Sequence, residues 1–128
     1  MCRESYTHGL MSQEFGDYLR SVRELKAAKD AAFSLRQVAA EIDIEPSYLS
    51  KIERGIEPPP GEGTIKDLAK VLGEDPDVLL ALAGKISSDL QAIIVKRPAL
   101  FAELLRSFRS LPDHAVARVV RDVRDGEW

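Results

Sequence analysis

The sequence predicts an all-α fold, a compact helical domain over residues 13–84 followed by a helical extension over 85–128. Three observations predict it. Apolar residues recur at helical spacing in segment after segment. Proline and glycine stand where those segments begin and end. The stretch Ser34–Gly55, SLRQVAAEIDIEPSYLSKIERG, reads as two short helices joined by a tight corner, and the flanking segments serve it.

Taken in order, residues 1–12 show no periodicity and are expected to be disordered, with Met11 an alternative start. Gln13–Lys29 is a helix, with Phe15, Tyr18, Leu19, Val22 and Leu25 recurring on it; the run Leu25–Ala32, LKAAKDAA, extends it by about a turn. Ser34 then caps a new helix. With Gln37 three residues on, it forms a capping box, in which the hydroxyl takes a backbone N–H and Gln37 reaches back. Leu35, Val38, Ala39 and Ile42 share one face of that helix, and the small Ala39 lets a second backbone come close.

The periodicity breaks at Asp43, one of the few non-glycine residues that tolerate a left-handed backbone. Pro46 suits the first turn of the following helix, whose missing N–H costs nothing there. Leu49 and Ile52 form its apolar side, Ser47, Ser50, Lys51 and Arg54 its polar side, and Gly55 ends it. Two short helices crossing steeply at such a corner leave the second with a polar outer face that fits a major groove.

Ile56–Gly63, with three consecutive prolines, is a loop. Thr64 is expected to cap a helix over Ile65–Leu72, with Ile65, Leu68, Ala69 and Leu72 inward and Gly73 at its end. A phosphate at that N-terminus is the functional reading of the same threonine. Asp75-Pro76 opens a helix running to Ala83, closed by Gly84. Further on, Ser87, Ser88 and Asp89 start a short helix with Leu90, Ile93 and Ile94. A helix over Pro98–Leu111 carries Leu100, Phe101, Leu104, Leu105 and Phe108, and one over Asp113–Val123 carries Val116, Val119, Val120 and Val123.

Pro46–Gly55, PSYLSKIERG, closely matches the recognition-helix pattern of the phage-repressor/Cro family, also called the xenobiotic-response-element (XRE) family. The resemblance runs from about Phe15 to Gly84 and includes GEDPDVLLALAG at its end. It implies a lambda-repressor-like DNA-binding domain with a helix-turn-helix, and a transcriptional regulator. It also implies an ion pair between Arg23 and Glu53 that ties the first helix to the recognition helix; two solvated charges are the bland alternative. Two positions depart from the family pattern. Asp43 stands where glycine is usual, which strains the corner, and Glu45 where serine or threonine is usual, which puts a carboxylate near the phosphates.

On this reading the DNA-binding residues are Arg36, Gln37, Pro46, Ser47, Tyr48, Ser50, Lys51 and Arg54. Lys51 faces a guanine edge or a phosphate and Ser47 lies near the helix N-terminus, where bases are reached. Ser50 is small enough for close approach, Arg36 and Arg54 meet phosphates, and Tyr48 either stacks on the backbone or packs beneath the loop. Capping alone explains Gln37. Each residue taken singly is also an ordinary exposed polar side chain.

The wide apolar stripe of Leu100, Phe101, Leu104, Leu105, Phe108, Val116, Val119 and Val120 exceeds what the first domain has room to cover. Such a stripe buries against a partner or against its own chain. Homodimerisation on a double-stranded, palindromic operator is the first reading, as a repressor. Intrachain packing and an antitoxin-like module held by a regulatory protein partner are the rivals.

The 128 residues suffice for one domain and a modest core. No apolar run approaches the roughly 20 residues of a membrane span, and the N-terminus lacks the apolar segment of a signal peptide; a cytoplasmic protein is expected. One cysteine, Cys2, permits neither an internal disulfide nor a cysteine-cluster zinc site. His8 and His114 are isolated, Cys2 has no base beside it, and GEG at Gly61–Gly63 is too short for a phosphate loop. No enzyme, metal or cofactor is expected. The net charge of −3 counts mildly against nucleic acid, although only the facing surface decides.

Overall fold

The computed structural model describes residues 2–128, with side chains from Ser12 onward. The described residues are all helical in their regular structure, with eight α-helices and no strand: α1 (Cys2–Ala27), α2 (Leu35–Glu41), α3 (Pro46–Glu53), α4 (Glu62–Leu72), α5 (Pro76–Leu82), α6 (Ser88–Lys96), α7 (Pro98–Phe108) and α8 (Asp113–Asp125). The chain divides into two compact units, Met1–Ser87 and Ser88–Trp128. No helix among the described residues is long and apolar enough to cross a membrane.

In the first unit, α1 packs on α3 and α5, α2 packs on α3 and α4, and α4 packs on α5. Their inward faces close one core of Phe15, Leu19, Val38, Ala39, Leu49, Ile52, Ile65, Leu68, Ala69, Leu72, Leu79, Leu80 and Ala83. Four helices end in the same double hydrogen bond, in which the residue after the left-handed position donates five residues back. For α2 these bonds are Ile44 N–H to Ala39 O at 2.9 Å and Asp43 N–H to Ala40 O at 3.2 Å. The left-handed residues are Asp43 (φ 59°), Gly55, Gly73 and Gly84. The corner between α2 and α3 therefore uses a carboxylate residue where the other three helices use glycine.

Several expectations are corrected. α1 starts at Cys2 rather than Gln13, because nothing between the two is a proline that would stop a helix. The side chains of residues 2–11, with Cys2 and His8, lie outside those described. α1 also stops at Ala27 instead of continuing through Ala32. Asp30 interrupts it, its carboxylate accepting from Ala32 N–H to cap a short 3-10 turn over Ala31–Phe33. Leu25, expected on the inward face, is 75% exposed, since α1 runs past the end of the core there.

The capping box is only half formed. Ser34 Oγ accepts from Gln37 N–H at 3.3 Å, but the Ser34 N–H that Gln37 would have reached is already taken by Ala31 O at 3.1 Å. α4 begins at Glu62, not Ile65, with Gly61 at its cap. Thr64 lies inside the first turn and caps nothing. A carboxylate near a helix N-terminus is favourable, and Glu62 also pairs with Lys66 at 3.1 Å. The proline loop is tied at its end, where Lys85 Nζ donates to Pro60 O at 2.8 Å.

In the second unit α6 packs on α7, and none of α6, α7 and α8 contains a fully buried residue. Leu100 is 64% exposed, and Leu104, Leu105 and Val120 are also exposed. Phe101, Phe108, Val116 and Val119 are half-buried.

Candidate nucleic-acid interface

The residues singled out in α3 divide by its helical period. Leu49, Ile52 and Glu53 are buried. Ser47, Lys51 and Arg54 are exposed, and Pro46 and Ser50 are half-buried. Glu45 precedes α3 with an extended backbone but makes no side-chain cap bond. Its carbonyl accepts from the Tyr48 and Leu49 N–H groups at 3.0 and 3.1 Å, which satisfies two donors of the first turn. Arg36 and Gln37 are exposed at the start of α2. Since Gln37 is not held in a capping box, its amide belongs to that outer surface. Tyr48 is half-buried and packs against the core.

Three things hold α3 in place. Ala39, fully buried on α2, lets the two helices of the corner approach, as the sequence suggested. A second close approach, at Gly16 on α1, was not read from the sequence. A Cβ placed there would lie 2.4 Å from Ile52 O and 2.7 Å from Glu53 O. The signal was present, because a glycine in a helix interior costs about 1 kcal/mol against alanine and marks a packing reason. The third constraint is the Arg23–Glu53 pair. Arg23 Nε donates to Glu53 Oε2 at 2.6 Å and Nη2 to Oε1 at 2.9 Å, while Nη1 donates to Phe33 O at 3.2 Å. The two side chains are 9% and 4% exposed. The fork therefore spans α1, the 3-10 turn and α3, and the hydrogen bonds to Glu53 hold the Arg23 pKa above its ordinary value.

A further tie lies on the other side of α1. The Tyr18 hydroxyl donates to Glu74 Oε1, just beyond α4. That hydrogen bond, followed by desolvation and the carboxylate's charge, raises the tyrosine pKa above 10.0.

Two clefts flank these helices. The larger, about 500 Å³, is lined by Glu41, Ile42, Asp43, Asp67, Lys70 and Val71. Its three carboxylates against one lysine make it unfit for a phosphate backbone. The smaller, about 210 Å³, is lined by three arginines, two glutamates, Ser50 and Leu35. Among the described residues no three His, Cys, Asp or Glu side chains form a metal-holding group. His114 is exposed at the start of α8.

A family model described as a helix-turn-helix domain matches residues 14–82, more than half of the chain. No curated protein matches the chain, and no solved structure matches it.

Proposed function

The chain belongs to the helix-turn-helix domain family, and we propose from that premise that it is a sequence-specific DNA-binding transcriptional regulator of the phage-repressor/Cro type. It acts as a dimeric repressor, with Ser47–Arg54 in the major groove of a palindromic operator. The observation that carries this is the two-sidedness of α3. Its apolar side and Glu53 are buried and clamped, while Ser47, Lys51 and Arg54 face outward. A short helix presented rigidly with small polar and basic residues outward is what a base-reading element requires. Two subunits would read half-sites roughly 34 Å apart. The second unit, with Leu100, Leu104, Leu105 and Val120 exposed, supplies the dimer contact.

Selection of binding sites from random duplex DNA tests the proposal. Enrichment of a palindrome, with affinity falling steeply as salt rises, is the expected result. A folded chain that enriches no sequence would overturn it. A second reading, a protein-interaction module held by a regulatory partner, is favoured by the absence of any fully buried residue in α6, α7 and α8. It predicts a chain that does not self-associate.

A further inference from the structure

The cleft of about 210 Å³ beside α3 is lined by Arg20, Arg23 and Glu24 of α1 and by Ser50, Glu53 and Arg54 at the end of α3. Its charges do not cancel. Arg23 occupies both Glu53 oxygens and gives its remaining terminal nitrogen to Phe33 O. Arg20 gives only its Nε to Glu24, at 2.7 Å. Its two terminal nitrogens have no partner among the described residues. Arg54 gives Nε to the Ser50 carbonyl at 3.3 Å and has no carboxylate partner. Three guanidinium groups thus face two carboxylates across a concave surface, with unspent donors on the two exposed arginines.

We infer that this cleft is a phosphate site, in which Arg20 and Arg54 close on one phosphodiester of the DNA backbone with the Ser50 hydroxyl as a third donor. The inference rests on the DNA-binding reading above and extends the interface beyond the helix-turn-helix to α1. Guanidinium forks match the oxygens of a phosphate and bind it with charge-assisted hydrogen bonds. Arg20 keeps Nε on Glu24 while its terminal nitrogens take the anion, so Glu24 orients the fork. Ser50 and Arg54 share a helix with Lys51, so a phosphate gripped here sets the register of the base-reading side chains.

The test compares the full chain with Arg20→Gln, Arg54→Gln and the double variant. Lys70→Gln, which removes a cation from the acidic cleft, is the control. Affinity for a random-sequence duplex is followed against salt. One lost phosphate contact lowers the slope by about 0.9, so between 50 and 200 mM salt the parent loses about 3.5-fold more affinity than the variant. Each single variant should show most of that change, the double variant no more than one phosphate's worth, and Lys70→Gln none. Two full, additive losses, or none, would overturn the shared site.

Inorganic phosphate is titrated in parallel and the Arg20 and Arg54 Nε–H signals are read by NMR. Both should move together in the parent, and each should stay still when the other arginine is replaced. If the parent has no salt-dependent DNA affinity, the DNA-binding reading falls and the phosphodiester source with it. Unmoved Nε–H signals sink the cleft as an anion site whatever the DNA does.

Discussion

Replacing Gly16 by alanine sets two effects of known size against each other. Gly16 lies in the interior of α1, where alanine is intrinsically better by about 1 kcal/mol. Against that, the new methyl would sit 2.4 Å from Ile52 O and 2.7 Å from Glu53 O, both main-chain atoms of α3. Contacts under 3.0 Å are not tolerated, so the helices must part by at least about 0.6 Å. The obstacle cannot swing aside like a side chain, because Leu49 and Ile52 are fully buried and Glu53 is held by Arg23. Overpacking a rigid contact costs about 1–3 kcal/mol and sometimes more. The clash should win, with a net loss of about 1–2 kcal/mol.

Gly63→Ala is the control. It lies inside α4 with nothing within 4 Å of the added methyl, so the same substitution should raise stability by up to about 1 kcal/mol. Urea unfolding followed by circular dichroism measures both, with the midpoint read at unchanged slope. If Gly16→Ala unfolds at the parent midpoint or later, the α1–α3 contact is looser than described and the reasoning fails. Because the displaced element is α3, Gly16→Ala should also weaken DNA binding, and Gly63→Ala should not.

Glu53→Ala should cost about 3–5 kcal/mol by leaving Arg23 buried and unpaired, whereas Arg23→Met with Glu53→Leu should recover most of that in the same urea assay. Tyr18 has a folded pKa raised above 10.0. The stability it contributes is therefore full below about pH 10 and is lost as pH rises through the folded value. The parent should lose more stability than Tyr18→Phe between pH 8 and pH 11 in thermal unfolding; equal losses would refute the link to Glu74. Lys51→Ala should weaken binding to a selected site by about 1–3 kcal/mol while sparing random DNA; equal loss on both, in a fluorescence titration, would make Lys51 a phosphate contact. Leu104→Glu should shift the sedimentation mass from a dimer toward the 14.2 kDa monomer, and an unchanged mass would place the dimer contact elsewhere.

The helical character, the corner at Asp43 and the start of α3 at Pro46 were legible in the chain, because caps, prolines, glycines and apolar spacing act locally. So was the inward face of α4, whose Ile65, Leu68, Ala69 and Leu72 are all buried. The Arg23–Glu53 contact was available only through resemblance, since 30 residues separate the two and spacing says nothing about pairs that distant. Where a local signal competed with another, packing decided. Ser34 N–H went to Ala31 O rather than to Gln37, and α4 began two residues before the threonine that could have capped it. Gly16, the small cleft at Arg20 and Arg54, and the exposure of Leu25 follow from where α1 crosses α3. The position of that crossing depends on all the core side chains at once and is written in no single stretch of sequence.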